Sequence, residues 1–515
     1  MKKALALLLA LVMTFALCAC GGEPTGSSNP PADNSNPPAD NSGEPGSQDD
    51  GTINFDEDPY EVSVQFVGLF EENKDIAAVE EAVNKITLEK INCTVDIVPV
   101  FIGDLPTTTS MGVAGGEKLD IVAVGLTSPM DSMVNDELLL PLDDLLASRG
   151  QGAMEATEHV AAAQKINGVT YAISGYPYAA MAAGFAYNKT MADEYGIKMH
   201  EGMTMEELTD VAATLKEHGV YLTTHGSSGQ VQYKFYHGGD YFNNGAFGGI
   251  LDPANSTEVV NVFDTKEMRD FWKTIKSWYD AGYLPADQLT DTTTSQEYFG
   301  QGKIFGCPTS YTVDQITAWM NPNFEAAVVQ ISDPLISTGS VVEFMLGIAA
   351  NCERPDKAMD LINLMYTDPE LANLMNYGVE GLDYVKVEGT ENVVTIEGTN
   401  NADHNGYYAG FTHYGSPTLR KIMAPLTDDY YEELNAFENS ATYSKTFGYF
   451  FDGTEFSAES GAISSVMEQK LPALNAGQVA DVDAAVDDLV AALNDAGMAD
   501  CIAANQAQLD AFLGK

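Results

Sequence analysis

"EVSVQFVGLFEENKDIAAVEEAVNKITLEKINCTVDIVPV", residues 61–100, decides the fold class. Its first eight residues alternate like a half-buried strand. From Asp75 the period changes: Ile76, Val79, Val83, Ile86 and Ile91 fall near one face of a helix. "CTVDIVPV" (93–100) is a second strand, and beyond a Gly/Thr-rich, partly helical connection "KLDIVAVG" (118–125) is a third. Strand, helix, strand, helix, strand predicts parallel crossovers with helices on the sheet faces.

The later chain continues the α/β pattern. "TMEELTDVAATLKEHG" (204–219) has Thr204 and Glu207 in capping-box spacing and closes on Gly219. "DTKEMRDFWKTIKSWYDAG" (264–282) repeats Met268, Phe271, Ile275 and Trp278 on one face, which also marks Trp272 and Trp278 as core residues. "RPDKAMDLINLMYTDPELANLMNYG" (354–378) predicts two helices meeting near Asp368-Pro369. Short strands are expected at 168–174, 303–307, 325–331 and 345–350. There are too many strand groups for one sheet, and periodicity alone does not say how they divide.

Upstream, residues 1–19 have the order of a secretory signal: basic "MKK", an apolar run, and small Ala19. The apolar run is shorter than the roughly 20 residues of a membrane-spanning helix. Leu17-Cys18-Ala19-Cys20 resembles a bacterial lipobox, which implies that Cys20 is lipidated and becomes the mature N-terminus. Residues 20–57 form the expected linker: "SNPPADN" stands in tandem at 28–34 and 35–41, and nothing apolar larger than alanine occurs up to about Gly51.

The 515 residues carry 75 Asp and Glu against 25 Lys and Arg, a net charge of −50. Such a chain repels phosphate backbones, so no nucleic-acid partner is expected. It also repels anionic lipid, which favours a covalent anchor. Cys93, Cys307, Cys352 and Cys501 are far apart and form no CxxC pair, so buried thiols are expected, with no metal. The seven histidines show no HExxH spacing. "GQGKIFG" (300–306) lacks the third glycine of a dinucleotide fingerprint, and "FDGTEF" (451–456) lacks the ligands of an EF-hand loop. With so many carboxylates, any acid pair proposed as a glycosidase dyad carries little weight. No catalytic residue and no cofactor are expected.

Recognition has more support. Aromatics stand beside Gly, Asn, Asp and Thr in "SGYPYAAMAAGFAYNK" (174–189), "YKFYHGGDYFNNGAFGG" (233–249), "TSYTVDQITAWMN" (309–321) and "NADHNGYYAGFTHYGS" (401–416). A sugar, with apolar ring faces and polar edges, needs flat platforms and a few fixed polar partners. Each of these rings taken singly also suits loop packing or core.

Residues 168–197, 297–311, 347–385 and 471–513, above all "NLMYTDPELANLMNYGVEG" (363–381), resemble the extracellular solute-binding proteins of bacterial ABC importers. The resemblance is to a lipoprotein subgroup of the sugar-type family from Gram-positive bacteria, and it covers nearly everything after residue 60. It implies a two-lobed, type II periplasmic-binding-protein-like α/β fold, each lobe a mixed sheet flanked by helices. Lobe one would take 58–180 and 340–415; lobe two, 181–339 and 416–515. It further implies a monomer on the outer face of the membrane, carrying a carbohydrate, an oligosaccharide, to a permease. By loop position, Phe70, Tyr178, Tyr241 or Trp319 would stack on a ring. Glu71, Thr127, Ser128, Asp240 and Glu343 would bond hydroxyls, and Tyr311 would face the cleft. A peptide or other small-solute binder, a surface glycosidase and a sensor for a membrane kinase are the competing expectations.

Overall fold

The computed structural model describes residues 51–68, 74–175, 178–225, 228–401, 406–407, 409 and 413–515. The signal, Cys20 and most of the linker lie outside them, as do Phe70 and Glu71. Among the described residues no helix is long and apolar enough to cross a membrane.

The opening pattern builds the first sheet. Tyr60–Gly68 pairs in parallel with Cys93–Phe101 on one side and Ile121–Gly125 on the other. The crossover helices are Ile76–Ile91 and Leu105–Gly115. The first buries Val79, Val83, Ile86 and Ile91, the stripe its sequence marks. Phe344–Ile348 then enters antiparallel beside Ile121–Gly125, and Ala172–Ser174 closes the sheet on its far side. This entry brings backbone very close to Gly125, whose φ is +91°. A Cβ there would lie 2.3 Å from the Val342 carbonyl oxygen and 2.6 Å from that of Glu343. Only glycine fits both the conformation and the space.

The helices Pro355–Thr367 and Pro369–Tyr377 meet at Asp368, whose carboxylate accepts the Glu370 and Leu371 N–H groups. They cover the sheet together with two rings from the aromatic stretch at 401–416. Tyr407 and Tyr414 are fully buried and stack on Phe66, with centroids 4.4 and 5.4 Å away. The Tyr414 hydroxyl donates to the Gln65 carbonyl and accepts the Val67 N–H. These two rings belong to the core.

The second sheet centres on Ala180–Asn188. Gly306–Tyr311 pairs with it antiparallel, as do Ala326–Gln330 and Leu335–Ile336, and Thr442–Tyr443 extends the sheet from Leu335–Ile336. Helix Lys266–Asp280 packs into its core through Met268, Phe271, Trp272, Ile275 and Trp278. The two indole N–H groups donate to Asn475 and Thr209. Helix Met205–Glu217 has the expected Thr204–Glu207 capping box. The helices Ser457–Asn475, Val482–Asp495 and Met498–Phe512 complete this lobe. Cys93, Cys307, Cys352 and Cys501 are free thiols.

The chain leaves the first sheet after Ser174 and joins the second at Ala180, returns through 337–343, and crosses again just before Thr442. The first two passages run side by side: Met345 faces Ser174 in one sheet and Ile336 faces Ala180 in the other. Around the lobe division expected between 415 and 416, the chain makes a further small sheet. That sheet pairs Val393–Thr395 with both Val385–Lys386 and Ile422–Met423. Helix Tyr430–Ser440 packs on it through Tyr430 and Leu434. Residues 416–440 pair with the preceding segment, while Phe437 also meets Tyr311 of the second sheet, which the chain itself joins at Thr442.

Candidate functional site

A cavity of about 1450 Å³ lies between the two sheets. Its first wall comes from helix Met130–Asn135, which follows a first-sheet strand, and from the passage at 337–343. Its second comes from Met181–Ala183, from 234–255 and from 446–460. One hydrogen bond spans the rim, from the Asn135 amide to the Thr454 hydroxyl at 3.2 Å.

The "HGGDY" stretch supplies the most built part of this wall. Gly239 has φ +117°, and a Cβ on it would sit 2.9 Å from the Tyr241 ring. Its absence lets the ring fold back over the turn, where the phenol donates to the Gly238 carbonyl at 3.0 Å. Phe242 meets Tyr449 edge-on, and Phe247 meets Phe451 edge-on at 5.0 Å, which extends an aromatic wall. Asn243 and Asn244 hold consecutive left-handed conformations, with φ of 46° and 51°. Asparagine tolerates that region better than most residues.

Asp240 anchors the wall. Its carboxylate accepts the Ser444 hydroxyl at 2.6 Å and the Thr446 hydroxyl at 3.0 Å. Burial pushes its pKa up, and these hydroxyls pull against that shift. Glu343, on the other wall, is an exposed residue of the lining. The protein around its carboxyl raises the pKa, and Lys234 opposes this. The Lys234 ammonium lies 5.0 Å from the Phe235 ring centroid, and burial lowers its pKa. The chemistry on offer is ring stacking together with acceptance of hydroxyl hydrogen bonds.

Of the residues marked from sequence, the cavity brings together Asp240, Tyr241 and Glu343. The others among the described residues lie off its lining. Thr127 donates to the Ile102 carbonyl, and Ser128 is buried in a tight turn with Gly125. Tyr178 packs on the Val393–Tyr430 cluster, and Tyr311 lies edge-on to Phe437. Trp319 is a core ring, perpendicular to Phe299 at 5.4 Å, and has no face to offer a ligand. Sequence reasoning missed Asp131, Ser132, Asn135, Lys234 and Ser337. Lys234 stood inside the quoted aromatic stretch. "FDGTEF", set aside as a poor EF-hand loop, contributes Phe451, Gly453 and Thr454 to the lining.

Residues 81–381 match the family described as bacterial extracellular solute-binding protein, and residues 445–514 match a domain of unknown function. A curated relative, the carbohydrate ABC transporter substrate-binding protein of Streptococcus pneumoniae, is 26% identical over 443 residues, 84% of this chain and 87% of that one. The crystal structure of the N-glycan transport solute binding protein NgtS from the same species superposes with a TM-score of 0.77 at 24% identity, over 88% of this chain and 99% of that one. Its complexes with Man1GlcNAc and Man5GlcNAc superpose at 0.69 and 0.64, with 23% and 24% identity, over 88% of this chain and 100% and 99% of those. An HMO-binding solute-binding protein of Bifidobacterium longum infantis superposes at 0.64 with 16% identity, over 88% of this chain and 99% of that one.

The hydroxyl donors on Asp240 have a consequence for pH dependence. Its folded pKa is raised above the unfolded value, so the folded chain holds this proton more tightly. The group therefore lowers stability as pH rises from the unfolded pKa through the folded one. Ser444→Ala removes a donor that favours the charged form and raises the folded pKa further. Below that window the variant loses a bond to a neutral carboxyl. Above it the variant loses one to a carboxylate, about 1.5–3 kcal/mol. Melting temperatures of both proteins between pH 3.5 and 7.5 should diverge as pH rises. A constant or narrowing gap would contradict this.

Proposed function

The chain belongs to the bacterial extracellular solute-binding proteins, and we propose that it captures a carbohydrate, an oligosaccharide, between its lobes for delivery to the permease of an ABC importer. The observation that carries this reading is the cavity of about 1450 Å³, aromatic on one wall and acceptor-rich on both. Drug-sized ligands occupy roughly 300–1,000 Å³, so this volume suits several sugar rings better than one. Tyr241 is the stacking platform, and Asp240 and Glu343 accept hydrogen bonds from hydroxyls. The names of the pneumococcal and bifidobacterial relatives point the same way. The protein does no chemistry on its ligand.

The lobes close on the ligand about 337–343 and the neighbouring chain ends at Ser174 and Ala180. The permease then engages the closed, loaded form.

We further propose that the chain is a monomeric Gram-positive lipoprotein held at the outer face of the membrane by lipid on Cys20. The support is the signal-like start, Leu17-Cys18-Ala19-Cys20 and the proline-rich run behind it. Mass spectrometry of the protein from its native host should find a diacylated or triacylated Cys20 as the first residue. An unmodified Cys20, or a chain beginning at Met1, would defeat the anchor.

For the ligand, a panel of oligosaccharides and peptides should be screened by melting shift, since a ligand selective for the folded state raises the transition. At least one oligosaccharide should give a saturable shift. Tyr241→Ala and Glu343→Gln should each weaken that ligand on the order of ten-fold, about 1.4 kcal/mol. A shift with peptides alone, or turnover of a glycan, would overturn the assignment.

A further inference from the structure

The charge of the cavity lining carries an inference about the kind of glycan, and it rests on the carbohydrate reading above. Six carboxylates line the cavity, from Asp131, Asp136, Asp240, Asp252, Asp333 and Glu343, against one lysine, Lys234. Lys234 sits over the Phe235 ring, 5.0 Å from its centroid, and burial lowers its pKa while the Glu343 charge opposes that shift. His237, from the same short helix, adds no compensating charge near neutral pH, because burial depresses its pKa.

The acids differ in how far they are engaged. Asp240 is held by the Ser444 and Thr446 hydroxyls. Asp252 is held by the Asn255 amide, at 3.0 and 3.1 Å to its two oxygens. Hydroxyl and amide donors orient a carboxylate without cancelling its charge. Burial raises the pKa of Asp131, Asp240 and Glu343, yet with six acids against one lysine a guest still meets an excess of acceptors and a negative field. A neutral sugar satisfies such a surface, because each of its hydroxyls has a proton to donate. A ligand carboxylate or sulfate has none, and would pair like charge with like.

We propose that this cavity selects uncharged oligosaccharides and rejects acidic ones, with Asp136, Asp333 and Glu343 as the residues that set the preference.

The test compares a neutral galactose-terminated oligosaccharide that shifts the melting temperature with the same sugar after its terminal C6 alcohol has been oxidised to the uronate. The two differ in little but charge. Titration calorimetry with the whole protein at low ionic strength should find the uronate weaker on the order of ten-fold or more. The gap should shrink in 0.5 M salt, where charges on the exposed cavity wall are screened. It should also shrink in the double variant Asp136→Asn, Asp333→Asn. Equal binding of both sugars at low salt would overturn the charge selection while leaving the carbohydrate reading intact. Tighter binding of the uronate, lost in Lys234→Gln, would overturn it by making Lys234 an anion receptor. If no oligosaccharide of either kind binds, the carbohydrate reading falls and this inference falls with it.

Discussion

Insertion of Phe344–Ile348 between Ile121–Gly125 and Ala172–Ser174 is the constraint on which the rest of the molecule depends. The strand arrives from the second sheet through 337–343 and lies beside the segment that leaves the first sheet at Ser174. The two passages are tied to each other. Ser174 donates from its hydroxyl to the Val341 carbonyl at 2.8 Å, and the Gly175 N–H donates to the Phe344 carbonyl at 3.0 Å. A third element braces them, since the Glu438 carboxylate accepts the Ala180 N–H at 2.8 Å and the Ala179 N–H at 3.3 Å. These bonds hold the ends of the two passages side by side. The Gly125 contact then fixes where Glu343 emerges into the cavity.

The site follows from this arrangement. Glu343 comes from the passage itself, and helix Met130–Asn135 follows the strand against which the passage packs. Asp240 is held by Ser444 and Thr446, residues that follow the last return of the chain to the second sheet. Each wall is thus fastened near a point where the chain changes lobe.

Much of the fold was legible before any coordinates, for a physical reason in each case. The parallel start was visible because helix and strand periods alternate cleanly from Glu61 to Gly125. The Thr204–Glu207 cap and the break at Asp368-Pro369 were visible because they depend on near neighbours. What failed depended on distant pairing. Nothing local to "MLGIAA" says that it returns antiparallel to the first sheet, and nothing near residue 415 says that Ile422 pairs with Val393. The aromatic loops divided the same way. Tyr241 faces the cavity because Gly238 and Gly239 let it fold back, and that glycine pair is readable. Tyr407 and Tyr414 look alike in sequence but stack on Phe66, which lies over 300 residues earlier. Trp319 followed Phe299 into the core, and the acids at 131, 136, 252 and 333 gave no sign among so many others.

The central claim is that the surface between Glu343 and the Asp240–Tyr241 turn is where the solute is held. A crystal structure of the whole chain with an oligosaccharide chosen by its melting shift tests this most directly. A sugar ring should lie against Tyr241 with hydroxyls within about 3 Å of the Asp240 or Glu343 carboxylates, the usual hydrogen-bond range, and with the lobes drawn together. Sugar density confined to another surface, with this cavity left empty and the lobes unmoved, would contradict it.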